Sequence, residues 1–172
     1  LVNFNISVAV NADFMERVKK GQEYDLVNPR TGEVTGQLNA KDVFELLAQI
    51  AWKTGDPGLV FLDLINRDNP NPQLGEIEST NPCGEQPLLP HESCNLASIN
   101  LARMVKFGDG DVAIDWDRLD ETVDVAVHLL DNVIDMNNYP IPEIEEMSRK
   151  TRRIGLGVMG FSDLLIQLGI RY

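Results

Sequence analysis

The sequence predicts an α/β fold, because two kinds of hydrophobic periodicity alternate along its 172 residues. The larger apolar side chains occupy every second position in residues 4–10, which is typical of a strand with one buried face. Residues 115–136 instead repeat apolar side chains at helical spacing. Residues 154–161 form an apolar, glycine-rich run that predicts a further strand. Because no repeat or low-complexity tract interrupts the chain, residues 1–172 are predicted to be one domain segment without an internal boundary.

The amino-terminal residues predict a strand, a short helix and a hairpin, at residues 1–10, 13–19 and 24–38. Four apolar side chains define the expected buried face of the strand: Phe4, Ile6, Val8 and Val10. The helix should end at Gly21, since glycine readily adopts the left-handed conformation found at helix carboxyl ends. The hairpin is expected to reverse at residues 28–32, Asn-Pro-Arg-Thr-Gly, because Asn, Pro and Gly favour turns.

Asn39 is predicted to cap a second helix that ends at Gly55. The apolar face of this helix carries five residues: Val43, Leu46, Leu47, Ile50 and Ala51. Residues 58–65 are largely apolar and are compatible with either a strand or a helix. The Pro- and Asn-rich residues 66–72 and the weakly periodic residues 75–92 are predicted to form a long loop.

Regular structure is expected to return after that loop. Asp115 and Asp117 are candidate caps of the long helix, which should extend to Met136. Ser162 is expected to cap a final helix that reaches Leu168. Three other segments complete the predicted order: an ambiguous apolar run at 95–105, a Tyr-Pro-Ile-Pro break at 139–142 and a helix over 143–150.

Composition narrows the classes of function. A net charge of -12 argues against broad contact with nucleic acid or with an anionic membrane. No apolar run is long enough to span a bilayer, and no signal peptide opens the sequence. Two cysteines without a disulfide framework suit a reducing compartment, so a cytoplasmic protein is predicted. Because Leu1 is not a start methionine and already opens a predicted strand, the sequence is expected to be an internal piece of a longer chain.

The most informative motif is Asn-Pro-Cys-Gly-Glu at residues 81–85. Residues two apart in an extended segment point the same way, so Asn81, Cys83 and Glu85 can face one cavity together. That arrangement would place a hydrogen-bonding amide, a thiol and a proton acceptor around one small substrate. The second cysteine of the chain, Cys94, follows eleven positions after Cys83. A buried cysteine is more often a small packing residue than a catalyst, so the flanking pattern carries the functional interpretation.

Other constellations are weaker. Gly155, Gly157 and Gly160 spell G-x-G-x-x-G, but no buried strand precedes them, so close packing of a strand explains these glycines better than a dinucleotide site. A thiol–imidazole pair with His91 lacks a visible third group to orient the base. A zinc set that adds His128 lacks paired C-x-x-C spacing, so no metal site is predicted and His128 is expected to be structural or exposed.

Five segments, taken in order, resemble the catalytic subunit of ribonucleotide reductase: residues 4–8, 81–88, 93–101, 139–142 and 153–161. The first reads Phe-Asn-Ile-Ser-Val, and the third begins Ser-Cys-Asn-Leu. The Asn-Pro-Cys-Gly-Glu form of the motif most resembles the adenosylcobalamin-dependent class II enzymes. This resemblance implies a ten-stranded α/β barrel with a central cysteine-bearing finger loop, of which this chain would hold an incomplete part.

The resemblance also implies a role for each site residue. Cys83 would carry the thiyl radical that removes the ribose 3′ hydrogen, and Glu85 would be the base at the 3′ hydroxyl. Asn81 would bind the ribose hydroxyls together with Glu85. Cys94 would be one of two cysteines that reduce the sugar and end as a disulfide. Its partner is expected upstream of Leu1, so Cys83 and Cys94 are not expected to be the redox pair.

The implied cofactor of the full enzyme is adenosylcobalamin. The implied partners are a ribonucleoside diphosphate or triphosphate substrate, a thioredoxin-like or other dithiol reductant and, in the full-length enzyme, a second copy of the chain as a homodimer. Neither a nucleic acid nor a membrane is expected as a partner. Two alternatives stay open: the large subunit of a metallocofactor-dependent class I reductase, and a noncatalytic nucleotide-binding barrel domain.

Overall fold

The computed structural model of the protein describes residues 4–108 and 110–172. Within these residues, ten strands pair two by two and six α-helices connect them. The chain divides into two compact units, Leu1–Pro90 and His91–Tyr172, called here the amino-terminal and carboxy-terminal units. The α/β class predicted from the periodicities is confirmed. The prediction of a single domain without an internal boundary stays a prediction.

The amino-terminal unit contains six strands, three α-helices and a 3-10 turn: β1 (Ser7–Val10), α1 (Ala12–Lys20), β2 (Glu23–Val27), β3 (Val34–Asn39), α2 (Ala40–Thr54), β4 (Gly58–Phe61), α3 (Leu62–Arg67), the 3-10 turn Pro72–Leu74, β5 (Ser79–Thr80) and β6 (Pro87–Leu88). Strands β1 and β4 pair in parallel, whereas β2–β3 and β5–β6 are antiparallel hairpins. Helices α1 and α2 pack against each other. Along the chain, both lie between β1 and β4. The buried apolar residues of this unit are Val10, Ala40, Ile77 and Leu89.

Local chemistry sets the ends of α1 and α2. The Asn39 cap and the ends at Gly21 and Gly55 were predicted, whereas the Asn11 cap was not. Asn11 caps α1 by accepting a hydrogen bond from the Phe14 N–H, and Gly21 ends the helix in the left-handed region. Asn39 caps α2 by accepting from the N–H groups of the next turn, and Gly55 ends it in the same way as Gly21. The hairpin over residues 23–39 is also confirmed.

The first strand is shorter than predicted. Residues 1–3 of the predicted strand lie outside the described residues, and pairing begins only at Ser7. Val10 is buried and Val8 is half-buried, but Phe4 is 67% exposed and Ile6 is also exposed, so the prediction of a buried face is wrong for these two residues. Residues 4–6 precede the first rung of the β1–β4 ladder, and of β4 only the Gly58 N–H reaches them, by donating to the Ile6 carbonyl at 2.9 Å.

The ambiguous run at 58–65 divides into β4 and the first residues of α3. The long loop predicted after it is mostly irregular, but it contains the short β5–β6 hairpin around residues 81–86. A ladder of two residue pairs is too short to show a periodicity in the sequence. This hairpin, which the sequence did not predict, holds the Asn-Pro-Cys-Gly-Glu motif.

The carboxy-terminal unit contains four strands, three α-helices and a 3-10 turn: β7 (Asn95–Asn100), the 3-10 turn Leu101–Arg103, β8 (Val105–Phe107), β9 (Val112–Ile114), α4 (Trp116–Met136), α5 (Pro142–Thr151), β10 (Ile154–Met159) and α6 (Phe161–Leu168). Strands β7 and β10 pair in parallel over six residues each, and α4 packs against both. Asp115 caps α4 by accepting a hydrogen bond from the Arg118 N–H, and Asp117 lies in the first turn. The buried apolar residues are Ile99, Met104, Leu130, Ile134 and Leu164.

The last helix begins differently from the prediction. Gly160, with φ +68°, is the capping residue of α6, and its carbonyl accepts the Leu164 N–H at 2.9 Å. Ser162 lies inside the helix, so its predicted capping role is wrong. A side chain on Gly160 would collide with the Asn100 side chain, and one on Gly155 would collide with Leu96. Close packing therefore explains Gly155 and Gly160, as predicted, whereas a Cβ on Gly157 would make only ordinary contacts.

The strands of the described residues form five separate two-stranded ladders, so the barrel is not closed. Large apolar side chains are in contact with solvent on strands and helices alike, among them Phe107 on β8, Trp52 on α2 and Ile166 on α6. None of the described helices combines the length and the apolar character that crossing a bilayer requires.

Candidate active site

The loop of the β5–β6 hairpin is organised around Asn81. The Asn81 N–H donates to the Gln86 carbonyl at 3.1 Å, and the Gln86 N–H donates to the Asn81 side-chain Oδ1 at 2.9 Å. The Gly84 N–H donates to the Asn81 carbonyl at 3.0 Å. Gly84 has φ +85°, which a residue with a side chain rarely adopts. These contacts close residues 81–86 into a tight turn whose conformation depends on Asn and Gly at these positions.

Cys83 and Glu85 both lie on this turn with exposed side chains, one on each side of Gly84, and Asn81 is half-buried beneath them. The turn therefore exposes a thiol and a carboxylate two residues apart. The Oδ1 of Asn81 is occupied by the loop itself. Its Nδ2 makes no hydrogen bond within the described residues, so the amide can still donate one to a ligand.

A cavity of about 480 Å³ adjoins the turn. Polar groups from two segments line it: Asn5, Ser7, Glu78, Ser79, Thr80 and Asn81. Pro82 lines it too, but Cys83 and Glu85 do not. The structure thus brings Asn81 to a cavity and holds Cys83 on the adjoining turn, and the convergence of all three residues on one pocket stays a prediction.

The sequence analysis did not identify Asn5 as a residue that supports the site. Its Nδ2 donates to the Pro82 carbonyl at 2.9 Å and thereby ties the Cys83 turn to the segment that enters β1. A polar residue in the otherwise strand-like segment 4–8, one of the five segments of the resemblance, was the available signal.

Cys94 lies in the carboxy-terminal unit, immediately before β7, and is half-buried. Its S–H donates to the Asn95 carbonyl with Sγ and O 3.4 Å apart. Cys94 lines a cavity of about 240 Å³ together with residues from α4, α5 and their connection, among them Tyr139 and Ser148. Neither Cys83 nor Cys94 forms a disulfide within the described residues.

The neighbours of Cys94 hold the backbone on both sides of it. Glu92 pairs with Arg153, with Oε1 and Nε 2.6 Å apart, and the Glu92 side chain is 0% exposed while that of Arg153 is 15% exposed. The Ser93 and Ser148 hydroxyl oxygens lie 2.8 Å apart in a hydrogen bond. The Asn95 Nδ2 donates to the Leu130 carbonyl at 3.0 Å. Sequence reasoning missed Glu92 and Arg153, although a charged residue next to each of two apolar strands was a usable signal.

A second charged cluster connects the end of α5 to α4 on the surface. Arg152 donates to Asp131 and Asp135, with Nε to Asp131 Oδ1 at 2.8 Å and Nη1 to Asp135 Oδ1 at 2.9 Å. Hydrogen bonds from Arg152 lower the pKa of both carboxyls, and the same bonds raise the pKa of Arg152. Arg152 has φ +45°, so α5 ends in the left-handed region at a residue that is not glycine.

Neither histidine lines the two cavities described above. His91 is exposed with φ +61°, and His128 is exposed on α4, one of the two placements expected for it. Among residues 4–108 and 110–172, no three His, Cys, Asp or Glu side chains converge as metal ligands.

Comparison with known proteins finds one family and several close relatives. The family model of the ribonucleotide reductase barrel domain matches residues 1–172. The chain is 55% identical over 172 residues to a vitamin B12-dependent ribonucleoside-diphosphate reductase of Thermoplasma acidophilum, covering 100% of this chain and 22% of that protein. It is equally 55% identical over 172 residues to the protein of the same description in Mycobacterium tuberculosis H37Rv, covering 24% of it.

A relative with a different name is less similar in sequence. The ribonucleoside-diphosphate reductase subunit alpha of Chlamydia trachomatis is 39% identical over 148 residues, which are 83% of this chain and 14% of that protein. The chain thus spans less than a quarter of the length of each of these three relatives.

Proposed function

The chain belongs to the ribonucleotide reductase barrel-domain family, and on that premise we propose that it supplies the radical thiol and one reducing thiol of an enzyme that converts ribonucleotides to 2′-deoxyribonucleotides. The observation that carries the proposal is the turn at residues 81–86, which exposes the Cys83 thiol and the Glu85 carboxylate two residues apart beside the amide of Asn81. A thiol, a carboxylate and a hydrogen-bond donor are the groups that this reaction requires at the ribose.

The overall reaction consumes one ribonucleotide and two thiols and yields one deoxyribonucleotide, one water and one disulfide. The Cys83 thiyl radical takes the hydrogen atom from C3′, which leaves a Cys83 S–H bond and a carbon radical. Glu85 accepts the proton of the 3′ hydroxyl as the 2′ hydroxyl leaves as water, with a thiol supplying the proton for that water. Two thiols, one of them Cys94, become a disulfide: one supplies the proton for the water and the other supplies the hydrogen atom that replaces the lost hydroxyl at C2′. The remaining electron reduces the C3′ carbonyl as Glu85 returns its proton to the 3′ oxygen. Cys83 then returns its hydrogen atom to C3′.

The geometry of the amino-terminal unit supports these roles. Cys83 and Glu85 are exposed, and a molecule approaching the turn can therefore reach both of them. Asn81 has its Nδ2 available as a donor to the ribose hydroxyls while its Oδ1 holds the turn in place. The adjoining cavity of about 480 Å³ has the size of small-molecule sites in proteins, and its polar lining suits a sugar.

Adenosylcobalamin is the proposed cofactor, because the most similar of the relatives described above are named vitamin B12-dependent. When bound, it would supply the radical that converts the Cys83 thiol to the thiyl. The residue of this chain that would meet it is Cys83, whose exposure on a closed turn fits a thiol that must be reached from outside the loop.

The proposal extends to the whole protein. The open two-stranded ladders and the exposed apolar side chains support completion of a ten-stranded barrel around the Cys83 loop by further strands. The substrate is a ribonucleoside diphosphate or triphosphate, and a thioredoxin-like or other dithiol reductant restores the disulfide. The full-length enzyme is proposed to be a homodimer. A cytoplasmic location fits the proposal, since thiols stay reduced there.

Two other functions have less support. A class I large subunit is favoured by the Chlamydia relative, but at 39% identity compared with 55% for the vitamin B12-dependent proteins. A noncatalytic nucleotide-binding domain has no need of a thiol and a carboxylate exposed together on one turn.

The test uses the full-length parent protein with ribonucleoside diphosphates or triphosphates, adenosylcobalamin and a dithiol. We expect deoxyribonucleotide formation that requires adenosylcobalamin and that disappears in Cys83→Ala. Turnover without adenosylcobalamin but with a separate radical-generating subunit would replace the class II proposal with class I. Nucleotide binding without product under either condition would favour the noncatalytic function.

A further inference from the structure

The pair formed by Glu92 and Arg153 is the only ion pair of the described residues in which one side chain is fully buried. Burying two charges is costly, and apolar replacements of a buried pair are often equally stable. Stability alone is therefore a weak reason for this pair. Charged groups with fixed hydrogen-bond geometry can instead hold a segment in one arrangement.

The position of the pair relates it to Cys94. Glu92 precedes Cys94 by two residues, and Arg153 directly precedes β10. The first rung of the β7–β10 ladder joins Asn95 to Ile154. The ion pair therefore extends this ladder at its open end, and Cys94 lies between the ion pair and the first rung.

Two further contacts restrict the position of the segment around Cys94. The Ser93 hydroxyl bonds to that of Ser148, which is 2% exposed on α5. A Cβ added to Gly155 would lie 3.6 Å from the Cys94 Sγ, so β10 passes directly beside the thiol. The segment 92–95 is thus held by the Leu130 carbonyl of α4, the Ser148 hydroxyl of α5 and the Arg153 guanidinium just before β10. The thiol itself lies beside Gly155.

Arg153 also borders the space into which Cys94 opens. Both residues line the cavity of about 240 Å³. The Nη2 of Arg153 is buried and has no hydrogen-bond partner within the described residues. The guanidinium therefore has one buried N–H group directed neither to Glu92 nor to solvent.

We propose that the Glu92–Arg153 ion pair, together with the Ser93–Ser148 hydrogen bond, positions the Cys94 thiol for the reducing step. Both are positioning groups, since they act through the backbone of residues 92–95. This inference rests on the proposed function, because it concerns the role of Cys94 as a reducing thiol. It predicts that loosening the segment impairs reduction and leaves hydrogen abstraction by Cys83 intact.

The test compares two products of the full-length enzyme with 3′-tritiated ribonucleotide. Tritium release reports hydrogen abstraction, and deoxyribonucleotide reports completed reduction. In the double variant Glu92→Met/Arg153→Met, which leaves no charge buried alone, we expect the ratio of deoxyribonucleotide to released tritium to fall about tenfold, with free base released. A loss of folded enzyme would lower both products equally, so an unchanged ratio would overturn the proposal.

Two more variants keep the test decisive. Ser148→Ala removes only the Ser93 contact, and we expect the ratio to fall about threefold. If the double variant does not fold, a wild-type ratio in Ser148→Ala overturns the proposal. The matched control is Arg152→Met, the adjacent arginine whose partners Asp131 and Asp135 lie on the surface, and its ratio should equal that of the wild type.

A readout without turnover separates this inference from the proposed function. The rate at which iodoacetamide alkylates Cys94 in the full-length protein, followed by mass spectrometry of its peptide, should change about threefold in the double variant. It should stay at the wild-type value in Arg152→Met. Equal alkylation in all three proteins would overturn the positioning role. Absence of deoxyribonucleotide in the wild type would overturn the proposed function and leave this comparison valid.

Discussion

The two cysteine-bearing segments differ in how the fold supports them. Cys83 lies exposed on a turn between strands of two residues each, and the contacts that shape the turn come from Asn81 and Asn5. Cys94 is half-buried at the start of a six-residue parallel ladder, between a buried ion pair and a serine pair. In the proposed reaction, the Cys83 thiol must receive a radical from outside and needs access, whereas the Cys94 thiol must meet a second thiol and needs a fixed position.

The energetics of the two segments differ accordingly. Hydrogen bonds of the exposed turn contribute about 0.5–1.5 kcal/mol each, so the turn can deform at low cost. Removing one partner of a buried ion pair costs about 3–5 kcal/mol, because an unpaired charge stays buried. We therefore expect substitutions around Cys83 to act on chemistry and substitutions around Cys94 to act on both position and stability.

The largest expected effect separates the two thiols. In the full-length enzyme, Cys83→Ser should release no tritium from 3′-labelled nucleotide, since its O–H bond is too strong for a cofactor-derived radical to cleave. Cys94→Ser should still release part of the tritium, together with free base, because abstraction remains possible and the disulfide cannot form. Identical behaviour of the two variants would remove the distinction between the segments.

The second prediction concerns stability at the Cys94 segment. Arg153→Met alone should lower the free energy of unfolding by about 3–5 kcal/mol, because it removes the guanidinium that pairs with the buried Glu92 carboxylate. The measurement is urea unfolding of the full-length protein followed by circular dichroism. Adding Glu92→Met should recover most of the loss, and a double variant as unstable as the single one would contradict this account.

The third prediction separates the two functions of Asn81. Asn81→Asp keeps an acceptor for the Gln86 N–H but loses the Nδ2 donor, so hydrogen exchange at Gln86 should stay slow while kcat/KM falls at least about tenfold. Asn81→Ala should accelerate exchange at Gln86 as well. Full activity of Asn81→Asp would show that the amide serves only the turn.

The smallest expected effect is the pH dependence of the Arg152 cluster. Because Arg152 lowers the pKa of Asp131 and Asp135, the stability from these contacts is present above the usual carboxyl pKa of about 4 and is lost as the pH falls through the lowered values. The difference in Tm between wild type and Arg152→Met should therefore be small at pH 7 and smaller still near pH 3. A difference that grows on acidification would contradict the sign of these shifts.

The sequence predicted elements well where the signal is local. The helices ending at Gly21 and Gly55 begin and end within one residue of prediction, because Asn caps and left-handed glycines act within a single turn. The prediction for Ser162 is wrong because Gly160, with its positive φ, starts the helix two residues earlier. Phe4 and Ile6 show the same limit, since alternation indicates a strand but not whether another strand covers it.

The candidate site divides in the same way. The residue types and spacing of Asn81, Cys83 and Glu85 were sufficient to identify the motif. The rule that side chains two apart share a direction holds in an extended segment, whereas residues 81–86 form a tight turn. The use of the Asn81 oxygen to close the turn depends on the Gln86 amide, which no pattern of side chains encodes.

The sequence by itself determined the α/β class, the helix ends and the thiol–carboxylate motif, because these depend on residues within a few positions of one another. Only the tertiary structure decided that Glu92 meets Arg153 across 61 positions and that Ser93 meets Ser148 across 55. Such contacts follow from the parallel pairing of β7 with β10, and that register depends on packing against α4 rather than on either strand alone.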